Sequence, residues 1–333
     1  MKNGYKEPQN ILISRTDKIG DVILTLPLIS EIKRLFPTSK VSFLIQSNLK
    51  DLLHDYEGID NLIFVDEYPS ENELQKKISS YNFDTVFAVF PRFPLALIFY
   101  TSNIPQRIGT AYRWYSFLYN IKVKEHRRFA IKHEFQYNLG LLRAITQNVK
   151  DNIVFHFKYS EEEKTVLRNK LLQNDINMDV DYIIVHPGSR ESSIDLPLDI
   201  LIAAVKRILE EFPRYNIMLT GLPNETEKAN KILADIPEMF KQKIFSVCGI
   251  ITLRELMILI DNCKLFISNS TGPIHIAGAL NKNIVGFYPE TPPMGPIRWK
   301  PLSDNNIILT PEAYDDMNSI KVDDILAAVK NFV

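Results

Sequence analysis

The sequence predicts an α/β protein made of two doubly wound domains, each built on a parallel β-sheet. Three observations lead to this class. Short apolar runs without polar alternation recur along the chain, as in strands that are buried on both faces. Amphipathic segments with a helical period separate these runs. The length of 333 residues is more than one hydrophobic core ordinarily supports, so two domains are expected.

The first half alternates predicted strands with predicted helices. Asn10–Ser14 (NILIS) is expected to be a buried strand, because Ile and Leu fill it without polar alternation. Residues 20–36 carry an apolar stripe at helical spacing, which Pro37 closes. Further elements of this half are strands over 41–45, 61–65 and 84–90 and a helix over 133–145. Residues 120–133 interrupt the alternation because they are basic and aromatic.

The second half begins after a charged helical segment over residues 160–174. Tyr182–His186 (YIIVH) is its first predicted strand; others lie over 216–220, 244–247, 265–268 and 284–287, with helices over 198–212, 252–261, 272–280 and 322–332. These elements give predicted domains 1–165 and 166–333. Alternating strands and helices pair in parallel through right-handed crossovers, and ligands of such sheets bind at the carboxyl ends of the strands. Two such sheets therefore predict a cleft between the domains.

The composition excludes several classes of protein. Hydrophobic residues make up 45% and charged residues 24%, which argues against disorder and fibres. The formal net charge of -1 gives no global attraction to nucleic acid, and none is predicted as a partner. Cys248 and Cys263 show neither metal-ligand spacing nor a disulfide framework, so reduced, buried thiols are expected. With no signal-peptide pattern and no apolar run of ~20 residues, the sequence predicts a cytoplasmic protein that is at most peripheral to a membrane.

The first group with catalytic potential follows the first predicted strand. It spans residues 15–22 (RTDKIGDV), in which Lys18, Gly20 and Asp21 lead into the first helix. A carboxylate at this place can act as a general base that takes a proton from an attacking hydroxyl. The alternative reading of Asp21 is an ordinary helix N-cap.

The second group, His186 to Arg190, directly follows the first strand of the second half. Its glycine, the Ser189 hydroxyl and the Arg190 guanidinium suit a diphosphate, because N–H donors and an arginine converge on oxyanions. An ordinary turn is the alternative.

The third group joins a predicted strand to the helix over 272–280. Ser270, Thr271 and Gly272 gather hydroxyls and backbone N–H groups at a helix start, where the dipole favours phosphate, and His275 follows one turn later. N-capping by Ser270 or Thr271 and a buried histidine at 275 are the alternatives.

Two further regions are candidate binding elements. Glu225 follows a strand end and can accept hydrogen bonds from a nucleoside, although a plain turn explains it equally well. Residues 107–132 mix aromatic side chains with cations, among them Arg107, Arg113, Arg127 and Arg128. This mixture suits an anionic acceptor or anionic lipid headgroups, whereas a solvated run of charges is the alternative.

The chain resembles glycosyltransferase family 9, the lipopolysaccharide heptosyltransferases, through motifs in both halves. The opening of that family is similar to ILISRTDKIGDVILTLPLISEIKRLFP, and its acceptor domain is similar to IPQRIG and HEFQYNLGLLRAI. The family's order and spacing continue in VHPGSR, LTGLPNE and ITLRELMILIDNCKLFISNSTGPIHIAGALNKNIVGFYPETPP. The resemblance spans nearly the whole chain, and GDV and STGPIHIAGAL are its most specific blocks.

The resemblance implies a GT-B fold of two facing Rossmann-like domains, whose last helix, about 320–333, packs back on the first domain. It implies an inverting transfer from ADP-L-glycero-β-D-manno-heptose to a hydroxyl of a lipopolysaccharide core acceptor. The partners would be this nucleotide sugar, an anionic glycolipid or oligosaccharide, and the surface of the inner membrane. No cofactor would be required. No metal ligand is predicted, and a non-essential divalent metal stays open.

The motifs also imply roles for particular residues. Asp21 matches the family's catalytic base, and Lys18 and Gly20 belong to the same motif. The donor would be held by Ser189, Arg190, Glu225, Ser270, Thr271, Gly272 and His275, and the acceptor by Lys18, Gly20, Arg107, Arg113, Arg127 and Arg128.

The sequence departs from the family pattern on the donor side. Ser270 stands where the family usually has an acidic residue, and Ile194, Asp195 and Leu196 precede Pro197 where it usually has a basic residue and an aromatic one. Three alternatives follow: another donor or acceptor within the same family, a sugar-nucleotide epimerase, and a binding protein without catalysis. The epimerase would need several carboxylates in the cleft, which the sequence does not offer.

Overall fold

The buried apolar runs form two parallel sheets, one in each of two units of the chain. The computed structural model describes residues 4–189, 193–312 and 315–333. Contacts between Cα atoms divide the chain into Met1–Lys158 and Tyr159–Val333. The boundary lies before the predicted 165/166 because the helix that starts at Glu161, with Ser160 as its N-cap, packs on a helix of the second unit.

The first unit contains six described strands in the order β3-β2-β1-β4-β5-β6, all paired in parallel. Their bounds are β1 Asn10–Ser14, β2 Lys40–Ile45, β3 Asn61–Phe64, β4 Thr85–Ala88, β5 Gln106–Thr110 and β6 Ile121–Val123. The described helices are α1 Ile19–Ile23, α2 Leu26–Leu35, α3 Glu71–Ser80, α4 Phe93–Thr101 and α5 Glu134–Arg143. The strand order reverses between β1 and β4, which makes the loops after these two strands the expected ligand site.

The helix predicted over residues 20–36 is two helices in the structure. Pro27 lies at the start of α2 and cannot donate the backbone hydrogen bond that a continuous helix would need at this position. The Thr25 hydroxyl donates to the Asp21 carbonyl oxygen at 2.8 Å. The short helix α1 therefore ends close to Asp21.

The second unit repeats this topology with different side chains. Its described strands follow the order β12-β11-β10-β7-β8-β9, which reverses between β7 and β10. The strands are β7 Tyr182–His186, β8 Asn216–Leu219, β9 Ile244–Ser246, β10 Leu265–Asn269, β11 Ile284–Phe287 and β12 Asn306–Leu309. The described helices are α6 Glu161–Leu172, α7 Leu198–Glu211, α8 Thr226–Asp235, α9 Leu253–Asn262, α10 Gly272–Ala279, α11 Pro296–Trp299 and α12 Val322–Lys330.

The last helix, α12, packs within the second unit. Its apolar residues Ile325, Leu326 and Val329 are buried in the core of that unit, and the helix lies against α7. The expectation that the last helix also packs back on the first domain stays a prediction. The amphipathic pattern of the helix satisfies its apolar face within its own unit.

No helix in the described part of the chain is both long and apolar enough to cross a membrane.

Candidate functional site

The loop after β1 places a charged cluster at the point where the strand order of the first unit reverses. Helix α1 begins at Ile19 with Lys18 as its extended N-cap residue, and Asp21 lies in the first turn. The carboxylate of Asp21 accepts a hydrogen bond from the Arg15 guanidinium. Asp21 is therefore not the N-cap of α1, and the capping alternative does not describe this residue.

Arg15 is the buried centre of the cluster. Its side chain is 2% exposed, whereas those of Asp17 and Asp21 are 15% and 17% exposed. Nε donates to Asp17 Oδ1 at 2.7 Å. The three carboxylates around Arg15 outweigh the effect of burial and raise its pKa above the ordinary value. A buried, permanently charged guanidinium thus holds two partly exposed carboxylates.

Side chains of α5 also belong to the cluster. The carboxylate of Glu134 is fully buried and accepts from Arg15 Nη1 at 3.2 Å and from Arg127. Arg127 also donates to Asn138 Oδ1 at 3.1 Å. The Asn138 amide donates to the Leu24 carbonyl oxygen at 2.8 Å, so α5 is tied to the end of α1. Buried charges that are paired in this way hold their geometry tightly.

The pKa of the Asp17 carboxyl in this cluster is raised toward neutral pH. Burial raises the pKa of Asp17 to about 6, and the neighbouring Asp21 carboxylate adds to the rise while Arg15 opposes it. The first unit thus presents two adjacent carboxylates, one of which titrates near neutral pH. Such a pair can accept and hold a proton.

Sequence reasoning placed Arg15 and Asp17 in the first group without giving them a role, and it missed Glu134. A role for Arg15 and Asp17 was detectable, because both lie in the loop that follows a buried strand and leads into the predicted site. Glu134 was not, since it lies 119 positions from Arg15 in the chain and meets it only through the packing of α5.

Five of the predicted acceptor residues lie in the charged cluster, beside it, or exposed on the first unit. Arg127 belongs to the charged cluster, and Lys18 and Gly20 flank it in the α1 segment. Arg113 and Arg128 are exposed, and Arg128 lies over the Phe129 ring at 4.7 Å.

Arg107 differs from the other predicted acceptor residues. Its guanidinium donates to the Leu118 carbonyl oxygen at 2.8 Å and to that of Ile104. Its donors therefore fasten the connection between β5 and β6, and the structure does not bring it to the cluster.

In the second unit, Asn269 joins the loops that follow β7 and β10. Its side chain is buried at the carboxyl end of β10. The amide donates to the Pro187 carbonyl oxygen at 3.0 Å, and its Oδ1 accepts from the Leu196 N–H at 2.8 Å. Both ends of the 187–196 loop are thereby attached to one side chain. Arg190 belongs to this loop but lies outside the described residues.

The start of α10 carries the predicted donor block. Thr271 is the N-cap residue, but its side chain makes no capping bond, because its hydroxyl lies 3.1 Å from the Ser268 hydroxyl. The Ser270 N–H donates to the Phe287 carbonyl oxygen at 3.1 Å. Thr271 and Gly272 thus open the helix at the carboxyl end of β10, where the helix dipole favours an anion.

His275 lies one turn into α10. It is buried, and its ring meets that of Trp299 edge-on at 6.2 Å. This placement agrees with the alternative of a buried histidine, and its role toward a donor stays a prediction.

Glu225 meets the loop after β7. Its Oε2 accepts from the Leu222 N–H at 2.8 Å, which fixes the turn after β8. A Cβ at Gly188 would lie 2.5 Å from Glu225 Oε1, so a side chain at 188 would displace the carboxylate. Ser189 follows directly, is buried, and donates to the Ser193 carbonyl oxygen at 3.3 Å. The structure thus places Glu225 beside Gly188, the residue before Ser189.

A cation approaches the 187–196 loop from α8. Lys228 Nζ lies 2.6 Å from Asp195 Oδ2, close to the position where the sequence lacks the basic residue of the family pattern. Burial lowers the pKa of His186 to about 4, with Asp195 opposing and Lys228 adding to the shift. His186 is therefore neutral at pH 7, and its Nδ1 lies 2.9 Å from the Thr220 hydroxyl.

The side chains of the described residues do not cluster as metal ligands. No group of three or more His, Cys, Asp or Glu side chains there could hold a metal ion. A cavity of about 360 Å³ lies at the edge of the second sheet, between β12 and α12, and no predicted site residue lines it.

The comparisons with known proteins identify the family of the chain. Residues 72–329 match the family model described as glycosyltransferase family 9 (heptosyltransferase). The chain belongs to this family.

Two relatives and one solved structure illustrate the match. A Haemophilus influenzae protein is named as a glycosyltransferase without a stated substrate. It is 28% identical over 340 residues, and the alignment covers 98% of this chain and 97% of that protein. Lipopolysaccharide heptosyltransferase 2 of Escherichia coli is 22% identical over 299 residues, covering 86% and 84%. The solved structure of E. coli ADP-heptose lipopolysaccharide heptosyltransferase II superposes with a TM-score of 0.82 at 19% identity, over 97% of this chain and 98% of that one.

These matches confirm the predicted family and GT-B fold class, and the protein is a glycosyltransferase. The donor, the acceptor and the roles of individual residues stay predictions.

Proposed function

We propose that this family 9 enzyme transfers heptose from ADP-heptose to a hydroxyl of a lipopolysaccharide core acceptor, with inversion at the anomeric carbon. The observation that carries the proposal is Asp21, a partly exposed carboxylate that a buried arginine holds where the strand order of the first unit reverses. A general base needs this combination of access and fixed position.

The proposed reaction is a single displacement. The acceptor oxygen attacks the anomeric carbon from the face opposite the diphosphate, and its proton passes to the Asp21 carboxylate. The bond between the anomeric carbon and the diphosphate oxygen breaks, and its electron pair leaves with ADP. Because one displacement inverts the centre, no second carboxylate is required as a nucleophile.

The second unit supplies the groups proposed to hold the donor. The start of α10 and the hydroxyls of Ser189 and Thr271 would stabilise the charge that develops on the diphosphate. Ser270 and His275 would border the same place, and Glu225 would accept from the nucleoside. Arg190 is included on the strength of its motif. Transfer requires that the donor and the acceptor meet in one closed complex from which water is excluded.

The acceptor is proposed to be anionic, because Lys18, Arg113, Arg127 and Arg128 accompany Asp21 in the first unit. A lipopolysaccharide core is anchored in lipid, so the enzyme would work in contact with the cytoplasmic face of the inner membrane.

A panel of nucleotide sugars tests the donor. Calorimetry with ADP-heptose, ADP-hexoses, UDP-sugars and GDP-sugars should show the tightest binding for ADP-heptose, and transfer to a core oligosaccharide should follow the same order. Preference for another donor would place the chain among family members with a different substrate. Epimerisation without an acceptor would contradict the proposal.

Asp21→Asn tests the base. We expect transfer to fall at least ~10²-fold while the affinity for the donor changes little, because the amide cannot take the proton. Asp55→Asn is the matched control, since Asp55 is 76% exposed and Asn also tolerates its positive φ of 53°. Undiminished transfer by Asp21→Asn would refute the assignment of the base, and a chain that binds donor but never transfers would be a binding protein.

A further inference from the structure

Large apolar side chains are exposed over one segment of the first unit. Nine large hydrophobic residues are exposed among its described residues, and eight of them lie between positions 93 and 131. Six of these define what we call the aromatic surface: Phe93, Tyr112, Trp114, Phe117, Phe129 and Ile131. Contiguous apolar exposure of this kind marks a surface that another molecule covers.

Helix α4 and the loop after β5 form one part of this surface. α4 buries Leu95, Ala96, Ile98 and Phe99 and leaves Phe93 outside. The ring of Trp114 packs against Phe93 at 4.7 Å, yet Trp114 is 72% exposed. Phe117, which is 66% exposed, lies in a turn that packs on α4. The contacts among these rings fix the side chains without removing them from solvent.

The loop after β6 forms the other part. Tyr112 stacks on His126 at 3.5 Å, and His126 meets Phe129 edge-on at 5.5 Å. Ile131 follows in the same loop and is exposed. The two parts are joined because Tyr112 and Trp114 belong to one short loop.

The charge around this surface is one-sided. Residues 91–133 contain eight Lys and Arg and a single acid, Glu125, whereas the whole chain has 39 basic and 40 acidic residues. Glu125 is paired with Lys132 at 2.8 Å. Arg92, Arg113 and Arg128 are exposed beside the aromatic rings. Apolar and cationic groups thus share one surface.

The place of this surface in the fold relates it to the charged cluster. The loops after β5 and β6 leave the sheet at the carboxyl ends of these strands. The strands of the sheet are parallel, so this is the edge at which β1 leads to Asp21. A molecule seated on the aromatic surface would lie at the same edge of the unit as the proposed base.

We propose that the aromatic surface docks on an anionic lipid bilayer, with Trp114 and Phe117 entering the headgroup region and the neighbouring arginines contacting lipid phosphates. Trp and Tyr have an apolar body and a polar tip and favour this boundary, and basic residues beside them bind anionic lipid. Apolar anchors and several cations together give the two signals that stable peripheral binding needs. This inference deepens the proposed function, because it states how a lipid-anchored acceptor reaches the enzyme.

Co-sedimentation with vesicles tests the surface without any transfer reaction. The purified full chain should sediment with vesicles of phosphatidylethanolamine and phosphatidylglycerol, and much less with vesicles of phosphatidylcholine alone. The double variant Trp114→Ser, Phe117→Ser should bind at least about tenfold more weakly, because it removes the apolar anchors. The control Met239→Ser, Ile297→Ser changes residues of the second unit that are 79% and 65% exposed, and it should bind as the wild type does.

Two further measurements separate the contributions. Arg113→Glu, Arg128→Glu should lose binding to anionic vesicles about tenfold, whereas Lys40→Glu, Lys76→Glu, at exposed cations of the same unit, should lose much less. A wild-type chain that ignores anionic vesicles would overturn the proposal. Full binding of anionic vesicles by the Trp114→Ser, Phe117→Ser variant would also overturn it. A third contrary result would be a wild-type dimer in size-exclusion chromatography that this variant dissociates, with no binding of vesicles by either chain. Vesicle binding by a chain that fails every transfer assay would support the surface and remove only the proposed function.

Discussion

The two units have the same strand order, but different groups hold their loops where that order reverses. In the first unit, Arg15 joins Asp17, Asp21 and Glu134 through ion pairs. In the second unit, the neutral side chain of Asn269 does this through its bonds to Pro187 and Leu196, and the ion pair between Lys228 and Asp195 lies beside these bonds.

The difference shows what the shared topology decides and what it leaves open. A doubly wound sheet decides where the loops meet, because parallel strands end at one edge. The side chains then decide the chemistry. The site in the first unit, the charged site, offers carboxylates that can take a proton. The site at the start of α10, the neutral site, offers backbone N–H groups and hydroxyls to an anion, and the residues Ser270 and Thr271 before this helix carry no carboxylate that would repel it.

Arg15→Met is the largest expected disturbance of this comparison. It leaves the fully buried Glu134 and its neighbours without their shared cation, and we expect the free energy of unfolding to fall by about 3–5 kcal/mol at pH 7. Urea unfolding followed by the fluorescence of Trp114, in a chain that carries Trp299→Phe, measures the loss. Arg143→Met is the control: Arg143 is 36% exposed and pairs with the exposed Asp151, so its loss should stay below about 1 kcal/mol. Equal losses in the two variants would contradict the central role of Arg15.

The pH dependence should have opposite signs in the two units. The pKa of Asp17 is raised from 3.8 to about 6, so the folded chain binds more protons than the unfolded chain in this range. The free energy of unfolding of the first unit should therefore fall as the pH rises from about 4 to about 6. The pKa of His186 is lowered from 6.5 to about 4, so the folded chain binds fewer protons, and the stability of the second unit should rise over nearly the same range. Each change is expected to be about 3 kcal/mol.

One tryptophan in each unit allows both slopes to be measured. Trp299→Phe leaves Trp114 as the reporter of the first unit, and Trp114→Phe leaves Trp299 as the reporter of the second. Urea unfolding between pH 4 and 6.5 should show the two opposite trends, with Asp17→Asn removing the first and His186→Asn the second. A common sign in both units would rule out these two groups as the source.

Asn269→Ala should have the smallest of these effects on stability, and it acts on the neutral site. It leaves the buried Pro187 carbonyl and Leu196 N–H without this partner, so we expect a loss of about 2–3 kcal/mol and weaker binding of ADP in calorimetry. Asn283→Ala is the control. It also removes an amide that donates to a backbone carbonyl, that of Lys264, but this bond is exposed, so neither the stability nor the affinity for ADP should change much. Unaltered ADP affinity in Asn269→Ala would separate this residue from the donor.

Much of the fold was accessible from the sequence, for a physical reason. Strands such as Tyr182–His186 are apolar throughout because they are buried on both faces, and a doubly wound sheet is the arrangement that buries them so. The strands β5, β6 and β12 escaped prediction. β6 is only three residues long and carries the exposed Lys122 at the sheet edge. Local pattern also failed to show the break between α1 and α2, although Pro27 was visible.

By itself, the sequence determined the class of fold, the family and the position of Asp21 and Thr271 at the ends of strands, because these depend on residues close together in the chain. Only the tertiary structure decided what surrounds them. Glu134 reaches Arg15 across 119 positions, and Asn269 reaches Pro187 across 82. A buried charge or amide must find its partner wherever packing brings one within hydrogen-bond distance, and no local pattern encodes that partner.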